Sequence, residues 1–192
     1  MRDAIPATTR RAVVAGVPTA LLVGGLAAPA AHAAASKAEL SRDGQAALQQ
    51  LYAVAPKARE MGGKARAILV FPKIVKAGLM VGGLTGNGVL LEGGRPTQYF
   101  NLSAATYGLQ IGAQKYSYAL FFITQTAIDY LKKSDGWAIG SGPSVVVMDE
   151  GKALSTTSTT VTQDVYAFPF GQKGLMAGLG LEGSKITQIH PS

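Results

Sequence analysis

Apolar residues change their spacing near Ala65, from helical to mainly alternating, and that change limits the folds open to this chain. Before it, Leu40, Ala47, Leu48, Leu51, Tyr52 and Ala55 recur at helical spacing, with Ser41, Arg42, Gln45, Gln49 and Gln50 on the other side. The stretch 36–55 therefore reads as an amphipathic helix, with Gly44 on its apolar stripe marking close approach to a sheet. A second short helix is expected from Pro56 to Gly62-Gly63, since proline suits a first helical turn and glycine an end. Beyond Ala65 the period is two. Ala67 to Phe71 reads as a buried strand stopped by Pro72, and Gly86-Asn87-Gly88 reads as a turn before the strand Val89 to Leu91.

Tyr99, Phe100 and Leu102, then Tyr107, Leu109, Ile111 and Ala113, continue the alternation. Tyr118 to Ile123 is apolar at every position and reads as a central strand. Thr124 is placed to cap a helix carrying Ala127, Ile128 and Leu131, with Lys132 and Lys133 at its negative end and Gly136 beyond. Val145 to Met148, Val165 to Phe168, Leu175 to Leu181 and Ile186 to Ile189 supply further strands, and Ser155 to Thr160 reads as a loop or edge. Gly178 and Gly180, like Gly108 and Gly112, occupy one face of their strands, which permits sharp coiling. The expected class is α+β: a strongly curved or barrel-like, mainly antiparallel sheet with an N-terminal amphipathic helix and one inserted helix.

The first 33 residues have another character. Thr9-Arg10-Arg11 precedes an apolar run from Ala12 to Ala28, then Pro29 and the small-residue pattern Ala31-His32-Ala33. That order is the order of an export signal, with cleavage expected after Ala33; the paired arginines allow the twin-arginine route. Gly16, Pro18, Gly24 and Gly25 interrupt the run, which falls short of the ~20 apolar residues of a good span. Residues 34–192 are then one exported domain, periplasmic or extracellular, without a transmembrane span and peripheral to any membrane it meets.

Little catalytic chemistry is on offer. There is no cysteine, which excludes disulfides, zinc–thiolate sites and thiol nucleophiles. Histidine occurs only at His32 and at His190, next to an end expected to fray, so neither a Ser-His-Asp triad nor a zinc site is assigned. Asp149-Glu150 and Asp164 are the carboxylates that could pair, but adjacent acids before Gly151 read as a solvated turn. Gly178 to Gly183 spells G-x-G-x-x-G, yet only nine residues come after it, too few for the helix and acidic residue a dinucleotide site needs. No catalytic residue, metal or cofactor is expected.

Phe71-Pro72-Lys73-Ile74-Val75-Lys76-Ala77-Gly78, then Gly86-Asn87-Gly88-Val89-Leu90, then Tyr107-Gly108-Leu109-Gln110-Ile111-Gly112-Ala113-Gln114 together resemble the SYLF domain family. Gly136-Trp137 and Lys173-Gly174-Leu175 fall in the same order. In eukaryotic relatives this domain goes with phosphoinositide membranes and actin regulation, commonly beside SH3 or FYVE domains; bacterial members are typically exported. The resemblance implies lipid-surface binding.

Charge points the same way. Of a formal net charge of +7, Arg2, Arg10 and Arg11 against Asp3 carry +2, leaving 15 basic against 10 acidic residues, +5, on the remainder. Lys57, Arg59, Lys64, Arg66, Lys73 and Lys76 are opposed locally only by Glu60, and are the candidate contact with anionic phospholipid head groups. The plain alternative for them is solvated charge at helix and strand ends. The expected function is a non-catalytic lipid-binding domain of the cell envelope. An envelope module that binds another protein comes second, and a carboxylate-dependent hydrolase last. Nucleic acid is disfavoured because the aromatic residues lie within apolar strands, apart from this cluster.

The leader yields the first prediction. Mass spectrometry of the protein recovered from its source cells should find a chain starting near Ala34; an intact Met1 in a membrane fraction would refute export.

Overall fold

The computed structural model describes residues 36–78, 81–107, 112–133, 135–148, 162–173 and 183–192. The chain divides into two compact units, Met1–Ala33 and Ala34–Ser192, and every described residue belongs to the second. The expected strand at Leu175 to Leu181, the Ser155 to Thr160 stretch, Leu109, Ile111 and the Asp149-Glu150 pair lie outside the described residues.

The first helix, α1, spans Lys37–Val54, and the Ser36 side chain caps it by accepting from the Glu39 N–H at 3.3 Å. It buries Leu40, Gly44, Ala47, Leu48 and Leu51, the stripe read from the sequence. Helix α2, Pro56–Lys64, starts at the expected proline but runs through Gly62 and Gly63 to end at Ala65. Gly62 is there for packing: a Cβ would run into the Tyr52 ring, so this glycine lets α2 close on α1 rather than ending the helix.

Eight strands come next: β1 Ala67–Gly78, β2 Val81–Glu92, β3 Arg95–Tyr107, β4 Gly112–Phe122, β5 Trp137–Ala138, β6 Val145–Val147, β7 Val165–Lys173 and β8 Lys185–Ile189. They form one sheet in the order β5-β8-β3-β2-β1-β4-β7-β6, curled into a half-barrel. Every pair is antiparallel except β6 with β7. The inserted helix α3, Gln125–Lys133, is capped at Thr124, whose Oγ1 accepts from the Ala127 N–H at 3.3 Å.

Both faces of the sheet are packed. On one, α1 and α2 lay Ala47, Leu48, Leu51, Ala58 and Met61 over Val70, Val89, Leu91, Ala119, Phe121 and Phe168. On the other, Ala127, Ile128, Leu131 and the fully buried Trp137 cover Leu69, Phe71, Leu90, Phe100, Leu120 and Phe122. Alternate residues of β1 and β4 thus enter opposite cores, so the run from Tyr118 is apolar at every position. Helix α1 crosses the strands instead of running along them. Ser41 hydrogen-bonds the Tyr99 hydroxyl over β3, Gly44 rests on Val89 of β2, and Tyr52 meets Phe121 of β4.

Two expectations from β1 and β2 are corrected. Pro72 does not stop its strand: β1 continues to Gly78, and the pairing slips by one residue on both sides, between Val70 and Lys73 toward β2 and between Phe71 and Ile74 toward β4. The bulge excuses proline from its missing N–H, and Ser117 donates to the Pro72 carbonyl at 2.8 Å. Gly86-Asn87-Gly88 is not a turn but the middle of β2, opposite that bulge. A Cβ at Gly86 would press on Lys73 and Ile74, and one at Gly88 on Val70 and Phe71. The tight turn lies farther along, where Gly93 and Gly94 both take positive φ, 57° and 76°, as a two-residue antiparallel hairpin requires.

Replacing Gly44 tests the packing of α1. Alanine gains up to about 1 kcal/mol of helix propensity, but its Cβ would overlap Val89 Cγ1, and overpacking costs about 1–3 kcal/mol. Gly44→Ala should therefore lower the melting temperature. Gly44→Ala with Val89→Ala should cost less than the sum of the single variants, as a double-mutant cycle would measure.

Candidate functional site

The six basic residues read from the sequence do not share one surface. Lys57 and Lys64 both pair with Glu60, at 3.1 and 2.7 Å, so this trio on α2 presents a net charge of +1. Hydrogen bonds from Lys64 and Lys57 hold the Glu60 carboxyl below the usual carboxylate range. Arg59 turns back to donate to the Tyr52 carbonyl at 3.2 Å. Arg66 precedes β1 and stands with Gln45, Gln49 and Tyr52 around a cleft of about 610 Å³ between α1, α2 and the Gly93–Gly94 turn.

Lys73 and Lys76 lie within β1, not in a connecting segment. The β1–β2 pairing is regular from Lys73 to Lys76, so these residues, three apart, point to opposite faces. Ile74, between them, is fully buried on the α3 face. Lys76 therefore shares the α3 face, and Lys73 projects on the α1 face beyond the reach of the helices.

There the register assembles a surface that spans most of the sheet. One row runs Thr187, Asn101, Asn87, Lys73 across β8, β3, β2 and β1. The next runs Lys185, Ser103, Thr85, Val75, Lys115 across β8, β3, β2, β1 and β4. Lys73, Lys115 and Lys185 are exposed, no carboxylate holds a place in either row, and none of the three makes an ion pair among the described residues. The Asn101 amide donates to Asn87 Oδ1 at 2.8 Å and Thr85 Oγ1 at 3.2 Å, which ties the polar centre together across β2 and β3. Lys115 and Lys185 were not singled out from the sequence, where they stand 42 and 112 positions from Lys73. The available signal was parity: Lys115 sits one residue off the buried Tyr116, as Lys185 sits one off the buried Ile186.

Groups that could do chemistry are otherwise engaged. Asp164 accepts from the Ser144 N–H at 3.0 Å, Ser144 Oγ at 2.9 Å and Thr124 Oγ1 at 2.9 Å, joining the cap of α3 to the start of β7. His190 is exposed, but the end that carries it is docked, not frayed: Pro191 is buried and the Ser192 carbonyl accepts from the Lys37 N–H at 3.1 Å. Gly183, the described residue of the glycine motif, leads into strand β8 and not into a helix, whose N-terminus is what a pyrophosphate would need. Burial holds the Tyr116 and Tyr118 phenols well above their ordinary range and so keeps them neutral. Among the described residues no cluster of acids and histidines could hold a metal ion, and no helix is long and apolar enough to cross a membrane.

The fold is thus a two-faced sheet covered by helices, with an uncovered part of the α1 face that carries Lys73, Lys115 and Lys185. Residues 103–190, from within β3 through β8, match the family Ysc84, described as Las17-binding protein actin regulator. With the motifs of β1 and β2, this match supports a SYLF domain family protein. No curated protein matches it significantly.

Asp164 gives a prediction with a pH signature. The backbone and side-chain hydrogen bonds from Ser144, then that from Thr124, lower its pKa in the folded state. Its contribution is therefore complete above the ordinary Asp value of about 3.9 and is lost as pH falls through the lower folded value. Asp164→Ala should cost about 1 kcal/mol at pH 7, the low end for charged hydrogen bonds because the site is solvent-washed. Thermal melts from about pH 3 to 7 should show the wild type losing this advantage below about pH 4.

Proposed function

We propose that this domain is a non-catalytic module that binds anionic phospholipid surfaces through the uncovered, lysine-bearing half of its α1 face. One observation carries the reading: Lys73, Lys115 and Lys185 are exposed on adjacent rows of one rigid sheet, with hydrogen-bonding side chains between them and no opposing carboxylate. An array of ammonium groups and amides suits the phosphates of anionic head groups. Each basic residue near such a surface contributes about 1 kcal/mol, screened by salt. The match to a binding-domain family with lipid and actin associations supports the same reading. The leader-like first 33 residues support export, and with it an envelope phospholipid surface as target. Arg66 and the α2 lysines, with Glu60 among them, stand outside the contact.

Vesicle flotation tests this. Lys73→Glu with Lys115→Glu should weaken binding to anionic vesicles at least about thirtyfold, from two lost attractions of about 1 kcal/mol each. The melting temperature should barely move, since exposed substitutions cost no more than ~0.5 kcal/mol. Lys57→Glu with Lys64→Glu changes the charge equally but on α2, away from the uncovered rows, and should weaken binding far less. If the first variant is folded and floats as the wild type does, the lysine face is not the contact, and a protein partner becomes the better reading.

A further inference from the structure

The lysine rows do not end the exposed face. Along the same register toward the β1–β2 hairpin end, the next row is Ala105, Gly83, Ala77, all exposed and none larger than a methyl group. Beyond it on the same face stands Val81, 65% exposed, where most large apolar side chains of the domain are buried. The surface is thus graded along the strands, from asparagines and lysines through a smooth alanine–glycine row to an apolar end. The hairpin end is also thin. Gly78 and Gly82 lie against each other on the opposite face, where a Cβ on either would strike the other's backbone.

From this gradient we infer that the domain meets an anionic membrane edge-on, with Val81 and the alanine–glycine row toward the interface and the lysines resting at the phosphates. This rests on the lipid-surface reading and adds an orientation and a depth. Same-face neighbours along a strand are about 6.7 Å apart, so Val81 lies about 13 Å beyond the level of Lys115. Interfacial apolar groups sit about 5–10 Å into the boundary between head groups and acyl chains. With Val81 at that depth, the ammonium groups of Lys115 and Lys185, which share one row, can reach the phosphate layer along their own stems, and Lys73 stands one row farther out. The cost usually met by strands in lipid is small here, because Ala77 is paired on both sides and Val81 on one, which satisfies most backbone groups. A second copy of the chain is a poor occupant, since a two-fold contact would set lysine against lysine.

The absence of native cysteine makes the test direct. The full-length variants Val81→Cys, Ala77→Cys and Val54→Cys would each carry one environment-sensitive fluorophore, Val54 being 76% exposed at the far end of α1. Vesicles of phosphatidylglycerol and phosphatidylcholine, with and without brominated acyl chains, are the probe. The label at position 81 should blue-shift on binding and be quenched by bromine, that at 77 less so, and that at 54 not at all. If the proteins float but position 81 stays aqueous, the edge-on orientation is overturned while the lipid reading stands. If no variant and not the wild type floats, both fall. A blue shift at 81 that appears without vesicles and grows with protein concentration would assign this face to a second copy instead.

Discussion

Burial of the β1–β4 pair on both faces is the constraint on which the rest of this domain depends. Leu69, Val70 and Phe71 in β1 and Ala119 to Phe122 in β4 are fully buried. A strand apolar on both sides needs a cover on each, which α1 and α2 provide on one face and α3 with Trp137 on the other. Because α1 crosses the strands, its width of about 10–12 Å covers only part of strands that run about 36–44 Å. The remainder of that face meets solvent and must be polar. The binding surface is therefore what the helices leave uncovered.

The bulge at Pro72 decides which charges occupy it. Up to Phe71 the odd-numbered residues of β1 face α3; after the slip Ile74 faces α3, so Lys73 is moved to the opposite side. In an unbroken strand Lys73 would point to the same side as Phe71, toward a buried core. Gly86 and Gly88 make the slip possible by leaving room for the displaced backbone. A proline, two glycines and the Ser117 hydroxyl thus act together on the direction of one lysine.

Electrostatics divides the basic residues further. On α2, Glu60 sits one helical turn from both Lys57 and Lys64, so that helix carries charges largely spent on one another. On the opposite face of the sheet Glu92 plays the same part for Lys132, which binds both of its carboxylate oxygens at 2.8 and 2.9 Å and ties α3 to β2. Among the described residues, the uncovered rows hold lysines from distant parts of the chain with no acid in the row, and there the field they make is available to a partner.

Whatever depends on neighbours within a few residues was legible in the sequence. The apolar stripe of α1 with Gly44 on it, the Thr124 cap and Lys132-Lys133 end of α3, the two-faced run of β4 and the α+β class all come from local period and capping chemistry. The SYLF motifs were also visible in the chain itself, and the family match agrees with them. Punctuation was misleading. Pro72 reads as a stop, Gly86-Asn87-Gly88 as a turn and Gly62-Gly63 as a helix end, because each usually is; here a bulge, a close backbone approach and the Tyr52 ring override them. Strand pairing alone decided the site, since it sets register and the face each residue takes after a bulge. It split Lys73 from Lys76 and brought Lys73 to Lys115 and Lys185. No local pattern encodes that meeting, because side chains alternate within a strand but neighbours across strands are fixed by hydrogen bonds between segments far apart in the chain.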